Sequence, residues 1–315
     1  MTPSLTAEAP TRGTPIIEGR RGFSESVLVH VFVIVPVVAL VLAVPLAWGW
    51  GLSWLDVGLA AAMYVISILG ITVGFHRYFT HRSFVATPAL RSALAIAGSL
   101  ALQGDPITWV ADHRRHHAFS DKEGDPHSPW LHGTGPVGLA KGFWHAHMGW
   151  LFEADKTNAD RFVPDLLSDP AVARISRQFG IWVAVSLLLP ALVGGLVTMS
   201  WAGALSAFVW AGLVRVGLAY HVTWSINSIC HMIGNRPFAA RDRSANVWPL
   251  AILSMGESWH NLHHADPTCA RHGVQRGQID ISARTIWIFE KLGWARDVRW
   301  PTTKRLARLT AERSS

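Results

Sequence analysis

Four apolar runs, at approximately residues 27–48, 54–75, 179–199 and 202–220, each match the roughly 20 residues a helix needs to cross a hydrocarbon core of about 30 Å. Inside a bilayer every backbone N–H and C=O must find a partner within the protein, and for runs of this length that means helices. Half of the 315 residues are apolar, sixteen are tryptophan and the mean hydropathy is positive, a membrane-protein profile. A fifth run, 89–102, is too short to span and carries Arg91, so it is expected to be buried in protein or to lie at the interface. The fold class expected is all-α and integral to the membrane: four transmembrane helices in two hairpins, with a helical cytosolic cap.

Charge placement orients this bundle, because lysine and arginine are retained on the cytosolic side of short loops. Three basic residues precede the first run, eleven lie between the second and third, thirteen follow the fourth, and Arg215 lies inside it. The short turns at 49–53 and 200–201 have none. Both termini and the segments 76–178 and 221–300 are therefore predicted cytosolic, in a multi-pass membrane protein. Residues 1–22 read as a disordered tail, 23–300 as the membrane domain and 301–315 as a basic C-terminal tail. Arg20-Arg21 before the first run fits a positive-inside anchor better than an export signal, since the run exceeds a signal-peptide core and further spans follow. The net charge of +7 is explained by the side facing anionic headgroups, and no basic-aromatic repeat or zinc-finger spacing points to nucleic acid. Cys230 and Cys269 both fall in predicted cytosolic segments, where thiols stay reduced.

Three histidine clusters restrict the chemistry: His76-Arg-Tyr-Phe-Thr-His81, His113-Arg-Arg-His116-His117 and His260-Asn-Leu-His263-His264. Eight imidazoles are too many for one ion and suggest a pair of metals. Spacings of three and four residues place each of the last two clusters on one helical face, able to reach a common centre. His76 and His81, five apart, would lie about 140° apart on an α-helix. Asn227 and His231, at i and i+4 just past the fourth run, share a face of a continuing helix and are further donors. Imidazole-rich sites suit iron, zinc, copper or nickel better than calcium or magnesium. A structural zinc site would close with four ligands, usually including cysteine, and the two cysteines are not at finger spacing. Ligating histidines usually donate their other N–H to a carboxylate; Asp112, next to His113, and Glu257, three before His260, are placed for that duty.

These residues carry a resemblance. His76-Arg-Tyr-Phe-Thr-His81, Asp112-His-Arg-Arg-His-His117, Asn227-Ser-Ile-Cys-His231 and Gly256-Glu-Ser-Trp-His-Asn-Leu-His-His264 resemble the boxes of the membrane fatty acyl desaturases, specifically the stearoyl-CoA (delta-9) branch, in a bacterial form without a fused cytochrome b5. The resemblance runs from about residue 70 to 270. It implies a di-iron centre that uses O₂ to remove two hydrogens from adjacent methylenes of a saturated acyl chain, leaving a cis double bond. It further implies one iron on His76, His117, His231 and His264, with Asn227 reaching it through water. The second would be held by His81, His113, His116, His260 and His263.

Unactivated methylene C–H bonds offer no acidic proton, so a metal-oxygen oxidant is required, and position along the chain can be selected by geometry alone. Trp109, Trp144, Trp150 and Trp224 are candidates for the wall or mouth of an apolar tunnel. The leading carrier is acyl-CoA, but Ala111 occupies the position where the animal acyl-CoA enzymes carry a headgroup-binding arginine. The basic pair that those enzymes carry after the Gly-Trp-Leu segment is also missing, with Glu153 and Ala154 in its place. A phospholipid-bound or carrier-protein-bound chain therefore stays open. No nicotinamide or flavin fingerprint, iron–sulfur cysteine set or cytochrome b5 motif occurs, so electrons must come from a separate ferredoxin-like protein, a flavin reductase or cytochrome b5. Two rivals remain: a membrane di-iron hydroxylase, which uses similar boxes, and a histidine-rich metal carrier, which would place its ionisable ligands within the spans.

Overall fold

The computed structural model describes residues 13–17, 21–47 and 52–314. Strand β1 (Ile16–Ile17) is followed by the long helices α1 (Phe23–Ala47) and α2 (Trp54–Thr80). Next come β2 (Val85–Ala86), α3 (Pro88–Ser99), α4 (Pro106–Phe119), α5 (Pro136–His147) and β3 (Lys156–Thr157). Helices α6 (Phe179–Thr198) and α7 (Trp201–His231) form the second hairpin. The chain closes with α8 (His260–Ala265), α9 (Ile281–Lys291), β4 (Ala295–Arg296) and α10 (Thr303–Ser314). Strands β1 and β3, and β2 and β4, pair antiparallel as two-residue clips within an otherwise helical fold.

Among the described residues four helices are long and apolar enough to cross a membrane, as the four runs predict, but two outrun the predicted ends at 75 and 220. Helix α2 has 27 residues and α7 has 31, roughly 40 and 46 Å at 1.5 Å per residue, so each extends at least ~10 Å beyond a ~30 Å core. Their last turns carry His76 and His231 into the cap. Ser53 starts α2 through a reciprocal capping box with Asp56, whose carboxylate also accepts from Ser206 Oγ at 2.8 Å and ties the hairpins together. Met199, at φ 50°, turns α6 into α7, and Ser200 Oγ caps α7 by accepting from Gly203 N–H at 3.0 Å. The predicted turn at 49–53 lies largely outside the described residues.

The segment 89–102 forms α3, which buries Leu90, Leu94, Ala95 and Gly98 against α2. A Cβ at Gly70 would lie 2.1 Å from Gly98 N, so only glycine lets the two backbones meet there. Arg91 escapes the apolar layer by pairing with Asp169 at 2.6 Å. Arg215, 2 % exposed, donates to Leu100 O at 3.1 Å and to Ser186 O and Oγ at 3.1 and 2.7 Å, so a charge inside a span is met by oxygens of the neighbouring segments.

Parts of both predicted tails take up regular structure. Ile16 and Ile17 pair with Thr157 and Lys156, so part of the segment 1–22 is a strand, while residues 1–12 and 18–20 lie outside the described residues. The segment 301–315 contains helix α10, whose Leu306 and Leu309 pack on Phe238 and Leu262. Its many charges obscured an i, i+3 leucine pair sufficient to dock it.

Candidate metal centre

The end of α2 is wound as a π-helix over Gly70–Thr80. Hydrogen bonding from i to i+5 brings residues five apart to one face, so His76 and His81 meet with ring centroids 4.9 Å apart rather than lying 140° apart. Helix α4, capped by Asp105 and opened by Pro106, presents His113, His116 and His117. Helix α8 presents His260, His263 and His264, with Leu262 fixing its back against α10.

The imidazoles gather into two groups whose ligand atoms lie within 4.8 Å of one another: His76, His81, His113, His117 and His263 in one, His116, His231, His260 and His264 in the other. This grouping differs from two expectations. Each box does not serve one centre: the i, i+4 pairs His113/His117 and His260/His264 each stay together, while His116 and His263 cross to the opposite group. The i+3 residue lies on the other flank of the i, i+4 line, so a single short helix feeds both centres. The partition implied by the resemblance also differs, since His76 and His117 exchange places with His116 and His260. Asn227 lies in the wall of an adjoining cavity together with His260.

Carboxylates hold many of these rings from behind. Asp121 faces Nδ1 of His231 at 3.2 Å, Asp242 faces that of His264 at 2.6 Å, Asp125 that of His116 at 3.0 Å, and Glu257 that of His76 at 2.7 Å. Burial opposes the charged form of His116, but Asp125 outweighs it and lifts the ring above its ordinary value. Burial takes His264 down to about 4 against the pull of Asp242. Burial, reinforced by neighbouring imidazoles, holds His81, His113, His117, His260 and His263 well below the usual histidine range, in the neutral form that ligates metals.

These residues fit a pair of cations. Bonding at Nδ1 puts the ring proton there on His231 and His264 and leaves Nε2 bare, yet His260 Nε2 lies 3.1 and 3.0 Å from those two atoms. His260 has at most one proton to give, so bare lone pairs converge in a buried space unless a cation stands between them. The larger group repeats the conflict, with His263 Nε2 3.0 Å from Nε2 of His76 and 2.9 Å from that of His117, and His81 Nε2 buried without a hydrogen-bond partner. Neutral nitrogen donors, with no thiolate in either group, suit iron, zinc, copper or nickel.

Glu257 belongs to a buried network in which Arg77, 0 % exposed, donates to Glu257 at 2.9 Å, to Asp280 at 3.0 Å and to Ala270 O at 2.8 Å. His272 joins it with Nδ1 3.3 Å from Glu257 and its ring 4.6 Å from His263. Asp112 is a correction: it bonds Thr157 and faces Arg115, not an imidazole, and burial raises its carboxyl to about 6. Neighbouring positions on α4 point apart, so adjacency to His113 turned it away from the ring it was expected to orient. Asp121, Asp125 and Asp242 were missed. They sit on loops whose partners lie 110, 9 and 22 residues away, where no periodicity connects them.

A cavity of about 690 Å³ adjoins the centre, with His76, His113, His260, Trp109, Trp150 and Trp224 in its wall. Trp109 stacks on His113 with centroids 5.0 Å apart. Trp144 is a correction: it is 58 % exposed on α5 and outside the cavity wall, because its helical position faces away from the bundle.

Residues 52–278 match the model of the fatty acid desaturase family. The chain is 40% identical over 276 residues to the hex-5-enoyl-[acyl-carrier protein] acetylenase of Moorena producens, covering 87% of this chain and 86% of that one. It is likewise 40% identical over 257 residues to the sn-1 stearoyl-lipid 9-desaturase of Anabaena variabilis, covering 80% and 87% of the two chains. With the acyl-CoA C20 Delta5-desaturase of Anemone leveillei it shares 35% identity over 286 residues, 90% and 85% of the two. The chain belongs to the fatty acid desaturase family, oxidoreductases that act on fatty acyl chains.

Proposed function

We propose that the protein uses O₂ to introduce a cis double bond, at the delta-9 position, into a saturated fatty acyl chain. One iron is held by His76, His81, His113, His117 and His263 and a second by His116, His231, His260 and His264, with Asn227 a further donor from α7. The observation that carries this reading is the convergence of nine imidazoles beside a largely apolar cavity, with His76, His113 and His260 in its wall. The iron pair, when bound, supplies with O₂ and two electrons the oxidising power that a methylene C–H bond demands. The chain's own residues orient and shield: Trp109, Trp150, Trp224 and Ile71 confine the acyl chain and exclude water, while Asp121, Asp125, Asp242 and Glu257 fix the imidazoles. The delta-9 position is supported by the named position of the Anabaena relative.

The relatives named above divide over the carrier: acyl-carrier protein, lipid and acyl-CoA. Acyl-CoA, expected from sequence, gains little from the cavity wall, where Arg21 stands with Glu25, Asp105 and Asp112 and the nearby Lys156 and Arg115 are taken up by Glu25 and Asp112. Electrons come from a separate ferredoxin-like, flavin or cytochrome b5 donor at the cytosolic face, where the charge pattern places both termini and the histidines. A carrier of metal ions would string its donors along the spans, whereas these are gathered at one end of α2 and α7.

Expression in a host lacking its own desaturase tests the reading. Wild-type protein is expected to add a monounsaturated chain to the fatty-acid profile, and His260→Ala to accumulate in the membrane without it. A new hydroxyl group in place of the double bond, or product persisting at wild-type level in the variant, would overturn the assignment.

A further inference from the structure

The cavity is walled on one side by residues that also face the lipid. Leu28 of α1 is 55 % exposed, and Gly180, at the start of α6, is exposed as well, yet both line the cavity, together with Phe32 and Val183 behind them. Leu28 lies about 8 Å and Gly180 about 2 Å along their helices at 1.5 Å per residue, and the charge pattern puts both helix starts on the same membrane side. The opening between them therefore stands at the depth where headgroups meet acyl chains. Deeper in, Val33, Val183 and Leu187 join one apolar cluster with Leu102, Tyr220 and Trp224, which closes the gap.

On the cap side the wall residues Arg21 and Leu151 are tied to each other. Ile16 and Ile17 pair with Thr157 and Lys156, Arg21 N–H donates to Ala154 O at 3.2 Å, and the Arg21 guanidinium donates to Leu151 O. The cavity's charged wall residues pair off among the described residues: Arg21 stands with Glu25, Asp105 and Asp112, while Lys156 pairs with Glu25 and Arg115 faces Asp112, which leaves no surplus of cations there for the clustered phosphates of coenzyme A. Among the described residues the buried Arg21 Nε has no partner, one donor left for a single ester or phosphate oxygen.

We infer that acyl chains enter sideways from the bilayer through a portal between α1 and α6, and hence that the substrate is a chain esterified to a membrane lipid. The inference rests on the desaturase reading for what happens to the chain, but the route itself is independent of the metals. Gly180 keeps the portal open: a Cβ there meets nothing within 4 Å, so a larger side chain fits the fold and fills the gap.

The test uses full-length protein in nanodiscs of phosphatidylcholine bearing a diazirine on its sn-1 acyl chain, with labelled peptides mapped by mass spectrometry. Trp224 and Ile71, 4 % and 3 % exposed, are reached only by a chain inside the cavity. They are expected to be labelled in wild type and in Gly58→Leu, a control at another exposed helical glycine with open space, and to lose that labelling in Gly180→Phe. Absence of label at Trp224 and Ile71 in wild type, or equal labelling in Gly180→Phe, overturns the portal. So does labelling of these residues by diazirine-stearoyl-CoA, supplied from water to plain nanodiscs, that Gly180→Phe leaves unchanged. The His260→Ala profile reports on desaturation separately, so the route and the chemistry can fail independently.

Discussion

Replacing Asp242 by asparagine removes one negative charge from behind one ligand and leaves its shape. The carboxylate sits 2.6 Å from Nδ1 of His264, and the two side chains are 6 % and 1 % exposed, so no water can take its place. Loss of such a partner weakens metal affinity by about 10- to 100-fold, about 1.4 to 2.8 kcal/mol at 1.4 kcal/mol per tenfold. The amide oxygen can still accept the Nδ1 proton, which places the expected effect at the lower end, about tenfold. Asp121→Asn acts on the same group of four through His231 and also disturbs the 2.7 Å bond that Asp121 accepts from Arg243 N–H, so its loss is expected to be at least as large. Equilibrium dialysis of the purified protein against graded chelator, with iron read by mass spectrometry, measures both. Asp165→Asn is the control, because its partners Arg82 and Arg114 are not members of either group. Iron affinity unchanged in Asp242→Asn and Asp121→Asn, or lowered as much by Asp165→Asn, would refute the claim that these carboxylates act through the imidazoles.

Two further perturbations test the frame around the site. Arg77→Met leaves Glu257 and Asp280 buried without their cation, which is expected to cost about 3–5 kcal/mol and to lower Tm in detergent; an unchanged Tm would mean the network is not structural. Gly70→Ala drives a methyl to 2.1 Å from Gly98 N, so α3 must shift from α2 at about 1–3 kcal/mol of overpacking, read as a lower Tm, and a variant as stable as wild type contradicts the close approach.

The spans and the histidine boxes were legible because both rest on local patterns: apolar length for the helices, three- and four-residue spacing for the boxes. What stayed hidden depends on tertiary context. The length of α2 and α7 could not be read from hydropathy, since Thr72 to Thr80 and His221 to His231 stay helical by packing in the cap, where polar residues have protein partners. The widening of α2 over Gly70–Thr80 reversed the angular argument for His76 and His81, and no residue pattern announced it. Sharing of each box between two centres was implied by the resemblance, but the grouping differs at His76, His117, His116 and His260, because spacing tells which residues lie on a face and not how two ions divide it. Asp121 and Asp242 were invisible for a plainer reason: loops bring them to His231 and His264 from a distance. Ala111 marked a departure from the animal acyl-CoA enzymes in sequence, and in the fold it is buried at 1 % exposure.

Iron analysis of the purified protein, combined with Mössbauer spectroscopy of ⁵⁷Fe-enriched samples, addresses the central claim most directly. The two imidazole groups predict two irons per chain in nitrogen-rich coordination, with Asp242→Asn perturbing the signal of one and leaving the other. Binding of a single iron, or of zinc with iron excluded, would contradict a paired redox centre in this cap.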